Sequence, residues 1–155
     1  MPLPNEPSPQ VAAFVAHWES LRPGPGLLPG RQHFDPIRVP HLLRNLTLID
    51  VVDCAPRQFR LRLVGGALVD AGFTGPPGDL MDAPHVTREP AKILAVLNDI
   101  AETGRPNWRR GPAAVEHTKF VDSLERAMMP LARDGIHVDM ILSFSIFHWR
   151  NGRTT

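Results

Sequence analysis

The sequence predicts an α+β domain in which an N-terminal amphipathic helix is followed by five strands, with helices inserted between strands 2 and 3. Three observations lead to this prediction. The chain has 155 residues, about the size of one domain. Apolar residues recur at helical spacing in some segments and alternate with polar residues in others. The dipeptide Asp134-Gly135 separates two apolar runs, which favours a hairpin because glycine tolerates the positive φ of tight turns.

The composition argues against several classes of function. Hydrophobic residues make up 43% of the chain, so a core can form without disulfides, and the single cysteine cannot form one within the chain. A formal net charge of +1 argues against non-specific nucleic-acid binding. The apolar runs are shorter than the roughly 20 residues of a membrane helix, and the first residues lack the pattern of a signal peptide. We therefore expect a cytoplasmic protein without nucleic-acid or membrane partners.

Proline and glycine residues mark the boundaries between elements. They number 17 and 12, and they cluster between the periodic segments, which is typical of short elements joined by rigid turns. We divide the chain into an N-terminal helix with its lead-in (residues 1–24), a main domain (residues 25–150) and a short tail (residues 151–155).

The first helix carries an apolar stripe that needs a cover. Ser8 is a suitable N-cap, Pro9 suits the first helical position, and the Pro/Gly segment around Gly24 ends the element. Each large apolar side chain left in water forgoes roughly 1.5–3 kcal/mol, so the stripe must pack on its own domain or on a second copy of the chain. Of these two, we favour a homodimer. The stripe consists of Val11, Phe14, Val15, Trp18 and Leu21.

A short helical segment and two strands are predicted next. Asp35 and Pro36 are suited to begin the helical segment. Branched aliphatic residues predict the first strand over Leu46–Val52. The second strand starts at Phe59, ends before Gly65 and alternates between two faces. Its apolar face consists of Phe59, Leu61 and Leu63, and its charged face consists of Arg60 and Arg62.

The middle of the chain predicts helices. Residues 67–84 are broken by glycine and proline, which favours short helices and tight loops. A longer helix follows over Thr87–Thr103, with Thr87 as its cap and Gly104 just beyond its end. The side chains expected to face inward from this helix are Ile93, Leu97 and Ile100.

Three strands complete the chain. They are predicted over Asn107–Gly111, Phe120–Leu131 and Ile136–Trp149, with the hairpin turn at Ala132–Gly135. The last strand has one face that is apolar throughout, which we expect to curl over the middle helices. This face consists of Val138, Met140, Leu142, Phe144 and Ile146. The other face is mixed and consists of Asp139, Ile141, Ser143, Ser145 and Phe147.

Two groups of arginines lie on or beside predicted strands. A guanidinium group suits a phosphate or a carboxylate. Charges opposite an apolar strand face, however, ordinarily keep a sheet soluble, so we favour a solvated face and leave an anionic partner open. The two groups are Arg57, Arg60 and Arg62, and Arg105, Arg109 and Arg110.

Three segments carry, in order, a resemblance to a known family. They are LPGRQHFDP at Leu28–Pro36, FRLRLVGGALVDAG at Phe59–Gly72 and MPLARDGIHVDMIL at Met129–Leu142. Together with the tryptophan of the first helix, they resemble the PAS-like family widespread in alphaproteobacteria, over roughly residues 11–147. The sequence departs from the family's pattern at Gly66 and at Pro76-Pro77.

The resemblance implies a five-stranded antiparallel sheet and a sensory or protein-interaction module in signal transduction, rather than an enzyme. PAS domains hold a small ligand, or none, between the concave face of the sheet and the middle helices. They commonly pair through an outer helix, here Pro9–Leu21. We therefore expect a small apolar ligand and a protein partner. The candidate cavity residues are Leu61, Leu63, Met81, Leu97, Met140, Leu142 and Phe144.

Two alternatives stay open. A ligand-free interaction or dimerisation module would use only the sheet surface and the first helix. A small α+β barrel-like isomerase or dehydratase would need a buried carboxylate base, for which Asp50 and Asp122 are the candidates. The sequence points to no particular cofactor, because Cys54 lies outside the middle segment where a photoactive flavin would need it. Its seven histidines show no metal-ligand spacing.

Overall fold

The computed structural model, which describes residues 6–112 and 121–155, contains one five-stranded antiparallel sheet. The strands are β1 (Leu46–Val52), β2 (Gln58–Val64), β3 (Asn107–Gly111), β4 (Val121–Leu131) and β5 (Met140–Trp149). Their order in the sheet is β2-β1-β5-β4-β3, and each neighbouring pair is antiparallel. The predicted bounds of β1 and β3 are confirmed. The predicted first residue of β4, Phe120, lies outside the described residues.

Helices lie on both sides of the sheet and confirm the predicted α+β class. They are α1 (Pro9–Ser20), α2 (Gly66–Asp70) and α3 (Pro90–Thr103), with short 3-10 helices at Arg31–His33, Pro36–Arg38 and Pro40–Asn45. Both α2 and α3 are inserted between β2 and β3. Within the described residues, no helix has the length and apolar character needed to cross a membrane.

Helix α1 lies across one face of the sheet, which we call the outer face. The Ser8 hydroxyl caps the helix by accepting a hydrogen bond from the Val11 N–H at 3.4 Å. Phe14 stacks on Phe144 of β5 with ring centroids 4.9 Å apart, and the Trp18 indole N–H donates to the Pro130 carbonyl of β4 at 3.0 Å. The α1 stripe therefore packs on the chain's own sheet.

The assignment of this stripe to a dimer interface is corrected by that packing. Val11, Phe14 and Trp18 are buried, and Val15 and Leu21 are partly buried against the same core. Because its own sheet removes the stripe from water, the stripe is not available to a second copy of the chain.

The opposite face, which we call the inner face, packs against α3. Leu97 and Ile100 of α3 are fully buried there with Ile49 of β1, Met128 of β4 and Ile141 of β5. The expectation that the all-apolar face of β5 covers the middle helices is therefore wrong. That face lies on the outer side beneath α1, and the mixed face of β5 is the one that faces α3.

Two element boundaries differ from the predictions for local reasons. Helix α3 begins at Pro90 rather than Thr87, since proline has a fixed φ and no N–H and therefore favours the first helical position. Strand β5 begins at Met140 rather than Ile136. The Asp134 carboxylate accepts hydrogen bonds from the backbone N–H groups of Ile136 and His137, which diverts these residues from strand pairing.

An irregularity in the pairing of β1 with β2 changes the expected alternation. Leu48 pairs with Leu63 and Ile49 with Leu61, so Arg62 is an extra residue in β2. Leu63 is therefore directed to the side of Leu48, and it is 42% exposed. Strict alternation along β2 would place Leu63 on the inner face with Leu61. Because of the bulge, Leu63 does not lie there.

Candidate ligand-binding site

A cavity of about 140 Å³ lies between α3, the segment that precedes it and strands β3 and β4. Its apolar lining consists of Phe73, Met81, Val86, Ile93, Val96 and Leu124. Its polar and charged lining consists of Thr87, Glu89, Lys92, Arg109 and Arg126. Small-molecule sites usually combine a mainly apolar lining with a few polar or charged groups, as this cavity does.

The alternation of β4 places Arg126 on the cavity side. Leu124, Arg126 and Met128 face the inner side of the sheet, whereas Glu125 and Ala127 face the outer side. Successive side chains of a strand point to opposite faces. The charge of Arg126 therefore sits between two apolar neighbours on the same face.

The strand register brings a second arginine beside Arg126. Arg109 of β3 is the direct partner of Arg126, and Ser145 of β5 is its partner on the other side. The Arg109 guanidinium also donates a hydrogen bond to the Pro112 carbonyl. The strand side of the cavity thus carries two adjacent guanidinium groups.

Among the described residues, Arg126 has no partner for its charge. Its Nε atom is buried without a hydrogen-bond acceptor, and no ion pair reaches its guanidinium within residues 6–112 and 121–155. Burial, and to a lesser extent the positive charge of Arg109, lowers the pKa of Arg126 to about 10. At neutral pH the group is still charged, so the site contains a half-buried cation that no counter-charge among the described residues compensates.

Other polar groups on the inner face also lack partners. The hydroxyl of Thr47 and the side-chain carbonyl oxygen of Asn107 are buried and accept or donate no hydrogen bond within the described structure. Ser143 and Ser145 of β5 are buried on the same face. Buried polar groups are normally satisfied, so this face offers hydrogen-bonding capacity to a bound molecule or to water.

In contrast, the two charged residues at the start of α3, Lys92 and Glu89, neutralise each other. Lys92 Nζ lies 3.3 Å from Glu89 Oε1, and the Lys92 side chain is largely exposed. The pair lies where solvent reaches the cavity lining. The arginines of β3 and β4 therefore provide the excess positive charge of the site.

The structure brings together only some of the predicted cavity residues. Met81 lines the cavity, and Leu61 and Leu97 belong to the same inner core cluster. The remaining assignments are wrong because the residues lie elsewhere: Leu63 is partly exposed beyond the bulge, and Met140, Leu142 and Phe144 pack on the outer face against α1.

A buried carboxylate on the outer face has a full set of partners. Glu125 is 0% exposed and accepts hydrogen bonds from the Ser8 backbone N–H at 2.7 Å, the Trp108 indole at 3.1 Å and the Arg110 guanidinium at 3.1 Å. Burial alone would raise the pKa of Glu125, but these hydrogen bonds outweigh it and hold the pKa below its ordinary value. Glu125 thereby ties the start of α1 to β3 and β4.

The carboxylates considered for an enzymatic base lie outside the cavity. Asp50 accepts from Arg62 Nε with both oxygens at 3.0 Å, and Asp122 is 60% exposed beside Arg150. Neither has the buried setting that a carboxylate base with a raised pKa requires. In the described part of the chain, no group of three or more histidine, cysteine or acidic side chains could hold a metal ion.

The sequence interpretation missed Arg126 and gave Arg109 the wrong setting. Arg109 was expected on a solvated face, yet it lines the cavity. For Arg126 a signal exists in the alternation Leu124-x-Arg126-x-Met128, where a charge occupies an apolar position. A charge at such a position is either paired in the core or directed into a site.

Comparisons of the chain with known proteins provide no relative from which a function could be transferred. No family model matches it, and no curated protein or solved structure was found to be similar to it.

Proposed function

We propose that this protein is a cytoplasmic PAS-like domain of signal transduction, a sensor or adaptor that binds a small, largely apolar ligand in the cavity beneath α3. Support comes from the antiparallel sheet of five strands with α2 and α3 between β2 and β3, the layout that the sequence resemblance implies. The observation that carries the proposal is the cavity itself. Its volume of about 140 Å³ and its mainly apolar lining suit a molecule of six to nine heavy atoms, since an apolar cavity of about 150 Å³ accommodates benzene.

The two faces of β4 give the bound ligand a route to the rest of the molecule. Arg126 faces the cavity, and the adjacent Glu125 holds the start of α1 on the outer face. A ligand that binds one position of β4 more tightly than another shifts the population of α1 arrangements. A protein partner that recognises α1 or the neighbouring sheet surface then receives the signal.

Binding of small apolar molecules tests the proposal. We expect native mass spectrometry of the purified protein, or an NMR screen with compounds of six to nine heavy atoms, to show a stoichiometric ligand. Val96→Phe fills the cavity and should abolish that binding, because Val96 lines it. Val69→Phe is the matched control, since Val69 is 58% exposed on α2.

Two results would contradict the proposal. One is the absence of any ligand, bound or screened, from a correctly folded protein. The other is equal binding by the Val96 and Val69 variants, which would place the ligand elsewhere. An empty protein that still captures a partner through α1 would favour the ligand-free interaction module.

A further inference from the structure

We infer that the cavity ligand is an organic anion with a short apolar body, a monocarboxylate, whose charged group is held by Arg126. This inference rests on the proposed function and specifies the chemistry of its ligand. It follows from the partners that Arg126 lacks, from the balance of charge around the cavity and from the character of the remaining lining.

Arg126 carries its charge at a partly buried position of β4. Its Nε is buried without an acceptor, and no carboxylate of the described residues pairs with its guanidinium. Buried charges in proteins are otherwise paired or hydrogen-bonded, because an isolated one is costly. The planar guanidinium presents two parallel N–H groups that match a carboxylate, so an anionic ligand supplies what this site lacks.

Positive charge predominates in the described part of the cavity lining. Among the described residues, the cavity lining contains three cations, Arg109, Arg126 and Lys92, and one carboxylate, Glu89, which is engaged with Lys92 at 3.3 Å. Arg109 lies directly across from Arg126 in the strand register, so two like charges are neighbours. An anion bound between them offsets their mutual repulsion, whereas a neutral or cationic ligand does not.

The rest of the described lining is mainly apolar. Six of the eleven described lining residues are apolar, among them Phe73, Ile93 and Val96, and they come mostly from α3 and the segment before it. Inorganic phosphate or a sugar acid would leave this wall without a partner. A chain or ring of about five to seven carbons that ends in one carboxylate uses both the wall and the arginines.

The experiment compares probes that differ in charge but hardly in size. We expect hexanoate to bind the wild-type protein at least tenfold more tightly than 1-hexanol, as measured by isothermal titration calorimetry, because hydrogen bonds to charged groups are the stronger ones. Arg126→Met should weaken hexanoate binding at least tenfold and leave 1-hexanol binding unchanged. Arg60→Met, an equal change of charge at an exposed position of β2, should alter neither.

A second variant keeps the inference testable if Arg126→Met does not fold. Arg109→Met changes the residue of the edge strand β3 that pairs with Arg126. We expect this variant to bind hexanoate at least threefold more weakly than the wild type does. Thermal unfolding of each variant shows whether it is folded before binding is measured.

The outcomes separate the inference from the proposed function. Equal affinity for hexanoate and 1-hexanol, unchanged by Arg126→Met, would overturn the anionic ligand and leave an apolar-ligand sensor. Equal affinity for inorganic phosphate and hexanoate would overturn the apolar body. Failure of both six-carbon probes to bind would overturn the inference, and the cavity-filling test with Val96→Phe would then decide whether the proposed function also fails.

Discussion

Two consecutive residues of β4, Glu125 and Arg126, are charged, and they face opposite sides of the sheet. Glu125 faces α1 and receives three hydrogen bonds, from the Ser8 backbone, the Trp108 indole and the Arg110 guanidinium. Arg126 faces the cavity, and its buried Nε has no acceptor. One charge is therefore satisfied within the described structure, and the other is not.

The difference distinguishes a structural charge from a charge available for binding. A buried ion with all its partners fixes the geometry around it, and here it fixes where α1 begins. A buried ion without partners destabilises the domain until something binds to it. The same strand thus contributes to the stability of the outer face and to recognition on the inner face.

The largest expected effect comes from removing the satisfied charge. Glu125→Ala leaves the Arg110 guanidinium and two N–H donors without their acceptor, so we expect the free energy of unfolding to fall by about 3–5 kcal/mol. Urea denaturation measures this change. Asp122→Ala, which removes an exposed carboxylate of the same strand, is the control and should cost about 0–1 kcal/mol. Equal losses in the two variants would contradict the role assigned to Glu125.

Removing the unsatisfied charge of Arg126 is expected to have a smaller effect on the free energy of unfolding, and one of opposite sign. Arg126→Met replaces a half-buried cation, unpaired among the described residues, with an apolar side chain, so we expect the ligand-free protein to gain about 1–3 kcal/mol in the free energy of unfolding. The same denaturation experiment measures the gain. Arg60→Met should stay within about 0.5 kcal/mol, as exposed positions usually do. A loss of stability in Arg126→Met would show that its charge has partners within the protein.

The smallest expected effect is a change in the free energy of unfolding at acidic pH. Because the pKa of Glu125 is lower in the folded protein than its ordinary value of 4.5, its ionised form stabilises the fold above that pH, and this contribution is lost as pH falls through the folded pKa. The stability difference between wild type and Glu125→Gln should therefore shrink between pH 6 and pH 3. Unfolding free energies of both proteins across this range measure it. A difference that stays constant would show that the pKa of Glu125 is not lowered.

Local sequence signals predicted the elements well. The capping pair Ser8-Pro9 and the branched residues of β1 act through neighbours in the chain, so their outcome is visible in the sequence. The faces of β5 were harder to assign, because Ile141 and Phe147 make its mixed face apolar enough to be buried as well. Which face meets α3 is decided by the fit of Phe14 and Trp18 on the other side, a tertiary effect that no local pattern contains.

The candidate site was predicted only in part for similar reasons. Met81 lines the cavity, and its assignment as a ligand-binding residue stays a prediction. The position of Leu63 depends on an extra residue in β2, which alternation alone does not reveal. Arg126 becomes recognisable as a site residue only when the three-dimensional structure shows that no described residue supplies its counter-charge.

The packing of α1 on the sheet also affects how the chain folds during its synthesis. The hydrogen bonds from Ser8 to Glu125 and from Trp18 to Pro130 span 117 and 112 residues. The helix therefore leaves the ribosome long before the strands that cover it, and closing so large a loop is entropically costly. The apolar stripe of α1 stays exposed to water until β4 and β5 have been synthesised. Nascent chains whose translation stops before that point therefore expose an apolar surface that chaperones can bind.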